Sequence, residues 1–303
     1  MKEYRLQDWL PTTRKEMDLR GWDYVDVILF SGDAYVDHPS FGAAVIGRTL
    51  EAEGLRVAIV PQPNWQDDLR DFKKLGIPRL FFGISAGAMD SMVNHYTANK
   101  RLRSDDAYTP NGRHGMRPDY PTIVYSRILK RLFPDTPIIV GGIEASMLLP
   151  GILADCPADL LIYGMGERPI IEIARRLQQG ENIKQLDDIP QTASIQPLSN
   201  MPRIMEDEGN IVLASHEKCL LHKRKQSENF KHIEEESNKY HAKRLWQSVG
   251  ERAIMVNPPY PPMTETEIDA SFDLPYTRMP HPKYKGKTIP AYEMIKFSVN
   301  LHR

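Results

Sequence analysis

The chain has 303 residues, with 39 Lys and Arg against 40 Asp and Glu and a formal net charge of −1. Its 41% hydrophobic and 26% charged residues are typical of a globular protein with one large or two modest domains. The charge balance argues against a broad basic footprint, so no clear nucleic-acid partner is predicted. Runs such as Val25–Phe30 are far shorter than the roughly 20 apolar residues that cross a bilayer, so no membrane partner is expected.

Cysteine and histidine usage also limits the function. Cys156 and Cys219 are too few for a disulfide framework, and alone they cannot ligate zinc or an iron–sulfur cluster. His222, His232 and His241 recur at intervals that do not stack on one helical face, so no metal site is predicted. With charges where a signal peptide would be apolar, the sequence predicts a reduced, cytoplasmic protein.

Roughly the first 180 residues alternate β-branched runs with helical patterns, which is typical of a parallel α/β sheet. Five strands are predicted, at Val25–Phe30, Arg56–Val60, Arg79–Phe82, Pro137–Val140 and Asp159–Tyr163. Four helices are predicted between and after them, at Phe41–Glu53, Gln66–Leu75, Thr122–Phe133 and Glu167–Gln179. This order predicts a doubly wound, mostly parallel Rossmann- or flavodoxin-like domain over residues 1–190.

The pattern changes after residue 190. Glu217–Trp246 is predicted as one long charged helix with a solvated face, and Ala253–Val256 as a short strand. The Pro-rich stretch from Pro258 to Pro290 predicts extended chain with little regular structure. Residues 191–303 are therefore expected to form a helical and extended C-terminal connector.

Polar loops follow the predicted strands, where open α/β sheets place their ligands. The loop after the first strand holds Asp33, Tyr35, Asp37 and His38, either as ligand contacts or as a turn that caps the next helix. The long polar and basic segment Ser85–Asp119 is expected to be a lid or binding loop rather than disordered chain.

Three short motifs each have a structural and a functional interpretation. Gly141–Ser146 permits a sharp turn or close contact with a planar ligand beside Glu144. Gly164–Pro169 resembles half of a dinucleotide fingerprint, but Pro169 replaces the third glycine, so a tight turn is favoured over an NAD or FAD site. Gly83–Gly87 matches the nucleophile elbow, which leaves a serine hydrolase acting through Ser85 as a lesser alternative.

Several segments together resemble the YgiQ-like proteins of the radical S-adenosylmethionine (SAM) group, in the order of that family and over nearly the whole chain. They are Leu6–Pro11, Gly32–Gly42, Met89–Lys100, Arg103–Tyr108, Gly141–Ser146, Tyr163–Arg168, Leu274–Tyr276 and His281–Pro282. The resemblance implies a Rossmann-like N-terminal module, related to cobalamin-binding-type domains, that precedes a radical SAM barrel. The barrel is then the expected partner in cis, and the substrate is an unknown small molecule or macromolecule.

The resemblance also implies a [4Fe–4S] cluster and S-adenosylmethionine, held by a Cys-x3-Cys-x2-Cys triplet of the barrel. The chain ends at Ser298–Arg303, on the threshold of that triplet, so we expect a truncated or separately encoded domain without radical chemistry of its own. The chain also departs from the family in the Met147–Pro157 stretch, which is shorter here than in the family.

The D-x-H-x-x-G cobalamin signature is absent, because Asp37 and His38 are adjacent. Cobalamin is therefore a possible ligand, but no sequence motif supports it.

The expected function is therefore that of an accessory, substrate- or cofactor-binding domain. Its candidate binding residues are Asp33, Tyr35, Asp37, His38, Asn94, His95, Tyr96, Glu144 and Glu167. A catalytically silent binding or interaction module remains the alternative.

Overall fold

The structure is a computed structural model that describes residues 4–149, 151–204 and 207–298. Its strands are β1 Val27–Ser31, β2 Val57–Pro61, β3 Phe81–Ser85, β4 Ile138–Gly141, β5 Leu160–Ile162, β6 Thr192–Pro197, β7 Asn210–Val212, β8 Arg244–Val249 and β9 Arg252–Val256. They form one nine-stranded sheet of order β2-β1-β3-β4-β5-β6-β9-β8-β7.

The helices lie between the strands and after them. They are α1 Arg14–Leu19, α2 Gly42–Ala52, α3 Arg70–Lys73, α4 Ser91–His95, α5 Pro121–Leu132, α6 Ile143–Met147, α7 Gly151–Asp155, α8 Glu167–Gln178, α9 His216–Leu221, α10 Lys223–Ser237, α11 Glu265–Phe272 and α12 Pro290–Ile295. Among the described residues, no helix has the length and apolarity needed to cross a membrane.

The first five strands are parallel and follow the flavodoxin-like order β2-β1-β3-β4-β5. Every residue of β1 and β2 is buried, as expected for strands with helices on both faces. Val27 and Leu29 point to a core that also contains residues of α2 and α8, whereas Ile28 and Phe30 point to a core shared with α5. The structure confirms the predicted doubly wound, mostly parallel α/β fold.

The sheet then continues through four further strands, of which only β9 was predicted from the sequence. Strand β6 is antiparallel to β5, and β9, β8 and β7 follow it. The predicted single helix Glu217–Trp246 is wrong: α9 and α10 are separated at His222, whose backbone is extended, and the last predicted turn is β8. Strand β8 forms because it pairs with β9 across a turn at Gly250, a tertiary contact that charge patterning does not reveal.

The Pro-rich C-terminal segment is more regular than the proline count predicts. It contains α11, which begins with a capping box of Thr264 and Glu267, and α12. Tyr284 and Ile289 are buried in the same core as α2 and α8. Ala291 N donates to Ala107 O (2.8 Å), so α12 lies against the loop that follows β3. The division at residue 190 stays a prediction, although the sheet passes that point without interruption.

Candidate functional site

The loops at the carboxyl edge of β1, β3, β4 and β5 contain most of the predicted binding residues. Strand β2 lies on one side of β1 and strand β3 on the other, so the order in which strands are added reverses between β1 and β3. Open α/β sheets bind ligands at such a switch point. A crevice is therefore expected where Asp33 follows β1 and the loop Ala86–Ala88 follows β3.

The buried guanidinium of Arg117 fills this switch point. Its Nη1 donates to Asp33 Oδ1 (2.7 Å) and to the carbonyl of Ala86 (2.8 Å). Its Nε and Nη2 donate to the Asp106 carboxylate at 2.9–3.0 Å. Arg117 is 1% exposed, and the cavity that remains beside Asp33 has a volume of about 10 Å³, enough for one water.

Burial perturbs the Asp33 carboxyl. Its pKa is raised to about 6, because burial and the neighbouring Asp106 outweigh the positive charge of Arg117 and the hydrogen bond from Ala88 N (2.7 Å). Gly87, with φ +122°, packs so close that a Cβ there would overlap the Asp33 carboxylate. The glycine permits close packing of the two loops rather than an open ligand cradle.

Tyr35, Asp37 and His38 lie in a second buried network beneath the C-terminal segment. Arg48 donates from Nε and Nη2 to the two oxygens of Asp37 (3.0 and 2.6 Å). Tyr35 Oη also donates to Asp37 (3.1 Å), and so does the backbone N–H of Thr277 (2.8 Å). Burial and the charge of Arg278 lower the pKa of His38, whose Nδ1 accepts from Ser40 N. This network fastens residues 277–278 to α2.

Glu144 and Glu167 are buried as well. The Glu144 carboxylate accepts from Ser91 Oγ and from the backbone N–H groups of Ser91 and Thr122 (3.3 Å each), so it joins α6 to the first turns of α4 and α5. Glu167 lies in the first turn of α8, where Ser271 Oγ donates to it (3.5 Å). Both carboxylates therefore connect helices at this edge.

The structure brings His95 and Tyr96, which follow Asn94 in the chain, together with two residues that the sequence analysis missed. Asp119 accepts a hydrogen bond from Tyr96 Oη (2.8 Å), and its Oδ1 lies 2.7 Å from His95 Nδ1. The rings of His95 and His114 are 5.1 Å apart. We call these five residues, Asn94, His95, Tyr96, His114 and Asp119, the edge cluster.

The edge cluster contains polar atoms without partners. Asn94 Nδ2, His95 Nε2 and His114 Nδ1 are buried and have no hydrogen bond within the described residues. Buried polar atoms in native proteins are nearly always paired, so these three atoms mark the edge cluster as incomplete in its hydrogen bonding. Partial burial raises the pKa of Asp119, but the hydrogen bonds from His95 and Tyr96 outweigh it, and the pKa is lowered overall. Asp119 therefore remains an acceptor that keeps the proton on His95 Nδ1.

The predicted site residues thus fall into separate groups. Only Asn94, His95 and Tyr96 combine into a cluster with unpaired polar atoms.

Ser85 Oγ accepts from Gly87 N (3.2 Å), and in the described part of the chain no histidine bonds to it, so the geometry gives no support to a serine hydrolase. Arg117 and Asp106 belong to the segment predicted as a lid or binding loop, but nothing in the sequence marked them as its buried anchor.

A larger cleft of about 390 Å³ lies beside the C-terminal half of α2. Arg20 and Arg48 line it, but both guanidinium groups already bond to Glu51 and to backbone carbonyls. The cleft therefore offers few free donors to a ligand.

The cofactors implied by the family resemblance do not fit the residues described here. Cys156 is buried, and burial raises its pKa, whereas Cys219 is partly exposed and hydrogen-bonded by Asn229. Within residues 4–149, 151–204 and 207–298, no group of three or more His, Cys, Asp or Glu can hold a metal ion. The 10 Å³ cavity at the switch point is also far too small for cobalamin.

Comparison with known proteins gives a consistent family. A family model described as Radical SAM N-terminal matches residues 9–298. A UPF0313 protein of Bacteroides thetaiotaomicron is 64% identical over 326 residues, and one of Porphyromonas gingivalis is 66% identical over 314 residues. Both alignments cover 100% of this chain but only 52% and 49% of those proteins. The UPF0313 protein YgiQ of Shigella flexneri is 41% identical, with 97% of this chain and 48% of that protein covered.

The chain therefore spans about half the length of these curated relatives. Among solved structures, the radical S-adenosylmethionine methyltransferase TsrM from Kitasatospora setae is similar with a TM-score of 0.39 and 17% identity. That similarity covers 55% of this chain and 28% of TsrM. A second TsrM structure, with cobalamin and a [4Fe–4S] cluster bound, gives a TM-score of 0.37.

Proposed function

We propose, from the premise that this chain belongs to the radical SAM N-terminal family, that it is the substrate-binding domain of a YgiQ-like enzyme. The match over residues 9–298 confirms the family resemblance recognised in the sequence. Since the relatives are about twice as long, we assign S-adenosylmethionine and the [4Fe–4S] cluster to the part of those proteins beyond the aligned region. The present chain then supplies binding and orientation of the substrate.

The observation that carries this proposal is the set of unpaired polar atoms in the edge cluster. Asn94 Nδ2 is a donor, and His95 Nε2 is held in place because Asp119 fixes the opposite ring nitrogen. Two buried anchors hold the surrounding loops: Glu144 joins α4 to α5, and Arg117 joins the loops after β1 and β3. A substrate that binds here meets a rigid, preorganised surface, which limits the entropy that is lost on binding.

The position of the C-terminal segment also supports this assignment. Asn111 N donates to Thr288 O (2.5 Å), and Thr288 N donates to Asn111 Oδ1 (3.0 Å). Helix α12 therefore lies beside the same set of loops that carries the edge cluster. This position supports a barrel that follows the segment and packs next to the carboxyl edge, with the substrate between the two parts.

The test uses a chimera in which this chain is followed by the C-terminal half of the Bacteroides thetaiotaomicron relative. The chimera is reconstituted anaerobically with iron and sulfide, and S-adenosylmethionine is added with dithionite as the electron donor. Formation of 5′-deoxyadenosine is then measured with and without the small-molecule fraction of a bacterial extract. We expect the fraction to stimulate the chimera and the stimulation to be lost in His95→Asn, because the ring nitrogen that contacts the substrate is gone.

The matched control is His241→Asn, on an exposed turn after α10. It should respond to the fraction as the unsubstituted chimera does. Equal stimulation of His95→Asn and His241→Asn would contradict the proposal, because the substrate would then bind without the edge cluster. Thermal unfolding of both variants checks that the fold is retained.

A further inference from the structure

The hairpin after α4 presents exposed cationic side chains. Thr97 N donates to Arg101 O (2.8 Å), and Tyr96 and Leu102 form an antiparallel bridge, so residues 96–103 make a tight turn. Within the described part of the chain, no carboxylate forms an ion pair with the cations of this region, which are Lys100, Arg101, Arg103 and Arg113. The buried Arg117, by contrast, is held by two carboxylates.

These cations flank the edge cluster. Arg103 N donates to His95 O (2.8 Å), and Arg103 Nε donates to two carbonyls of α4 and its C-terminal end, Val93 O and Tyr96 O (3.2 Å each). On the other side, Arg113 directly precedes His114, whose ring contacts that of His95. Arg103 and Arg113 are thus both held next to residues of the edge cluster.

The three aspartates of this segment each have a hydrogen-bonded partner. Asp119 is bound by His95 and Tyr96, Asp105 accepts from Ser104 Oγ (2.9 Å), and Asp106 is fully buried against Arg117. Residues 91–120 contain five Lys and Arg and three Asp, a net charge of +2 in a chain whose total is −1. Charge of this sign concentrated on one segment attracts anions.

We propose that the edge cluster and the cations around it bind a ligand that bears phosphate groups. Phosphate oxygens accept several hydrogen bonds at once, and arginine is the side chain best suited to donate them in pairs. The unpaired Asn94 Nδ2 supplies a further donor. Exposed apolar side chains of Val93, Leu102 and Tyr120 on the same segment would contact the organic part of the ligand. This inference deepens the proposed function and rests on it, since it names the substrate class of that site.

Binding is tested on the full chain with two probes that separate the sources of phosphate. Inorganic pyrophosphate is titrated by calorimetry, and a short single-stranded RNA of mixed sequence by fluorescence anisotropy. The double variant Arg101→Gln/Arg113→Gln is compared with Arg131→Gln/Arg252→Gln. The second pair removes the same charge from exposed positions on α5 and β9.

We expect at least one probe to bind the unsubstituted chain and to bind the Arg101/Arg113 variant about tenfold more weakly, the loss of about one charge-assisted hydrogen bond. The Arg131/Arg252 variant should change affinity by no more than about twofold. Binding of pyrophosphate alone indicates a phosphorylated small molecule, and tighter binding of RNA indicates a nucleic-acid backbone. Either result supports the site.

The proposal is overturned if neither probe binds, or if both double variants lose affinity equally, since nonspecific charge would then explain the binding. No radical chemistry is needed for this experiment. A chimera that shows substrate-dependent, His95-dependent cleavage, without any phosphate binding by the chain, would therefore remove this inference and keep the proposed function.

Discussion

Arg117 is the residue on which the carboxyl edge depends most. Its guanidinium is 1% exposed and joins Asp33, Asp106 and the carbonyl of Ala86. A buried charge of this kind is tolerated because nearly every donor has a partner, yet removal of the cation leaves two buried carboxylates without one. Sequence reasoning could not find it, since its partners lie 84 and 11 residues away in the chain.

We predict that Arg117→Met destabilises the fold by about 3–5 kcal/mol, because Asp33 and Asp106 lose their shared counterion. Urea unfolding followed by circular dichroism measures this change. Arg131→Met, at an exposed position of α5, is the matched control and should cost less than about 0.5 kcal/mol. Similar stabilities for the two variants would contradict the role given to Arg117.

The predicted binding residues show what sequence patterns do and do not reveal. Asn94, His95 and Tyr96 were found because a polar loop follows a strand, but their partners His114 and Asp119 became visible only in three dimensions. Asp37 was predicted on the same basis, yet it is paired with Arg48. The signal for that pairing was an arginine among the apolar residues of α2.

At the scale of elements, the five parallel strands and the helices α2, α5 and α8 were predicted within a few residues, whereas the short helices α1, α4, α6 and α7 were not predicted. Buried strands such as β1 and β2 are nearly continuous apolar runs, and α5 and α8 have a clear helical period, so local sequence determines them. Strands β6, β7 and β8 were missed because they form through pairing with each other and with β9. Helix α3 is also shorter than predicted, at Arg70–Lys73.

The junction between the loops after β1 and β3 depends on Gly87. We predict that Gly87→Ala destabilises the fold by about 3 kcal/mol, since φ is +122° and the new Cβ would displace the fixed Asp33 carboxylate. Gly54→Ala is the control: its φ is also positive, at +83°, but nothing lies within 4 Å of the added Cβ, so it should cost about 1 kcal/mol. Thermal unfolding of both variants measures the difference. Equal losses would mean that the close approach at Gly87 is unimportant.

At the scale of the whole molecule, one sheet combines a flavodoxin-like parallel half with an antiparallel extension. The C-terminal segment folds back on the parallel half, where Tyr284 Oη accepts from Tyr35 N (3.1 Å). The loop after β1 is therefore joined to the C-terminal segment. The family was recognisable from sequence because its motifs coincide with the buried networks around Asp37, Asp106 and Glu144.

The central claim is that the edge cluster faces the substrate of a radical SAM enzyme. The most direct test is an experimental structure of the chimera with its [4Fe–4S] cluster, in which the path from His95 Nε2 to the cluster is traced. We predict that the edge cluster and the [4Fe–4S] cluster both line one enclosed cavity between the two halves of the protein. An edge cluster that lies on the outer surface, separated from the iron–sulfur cluster by the nine-stranded sheet, would contradict the account.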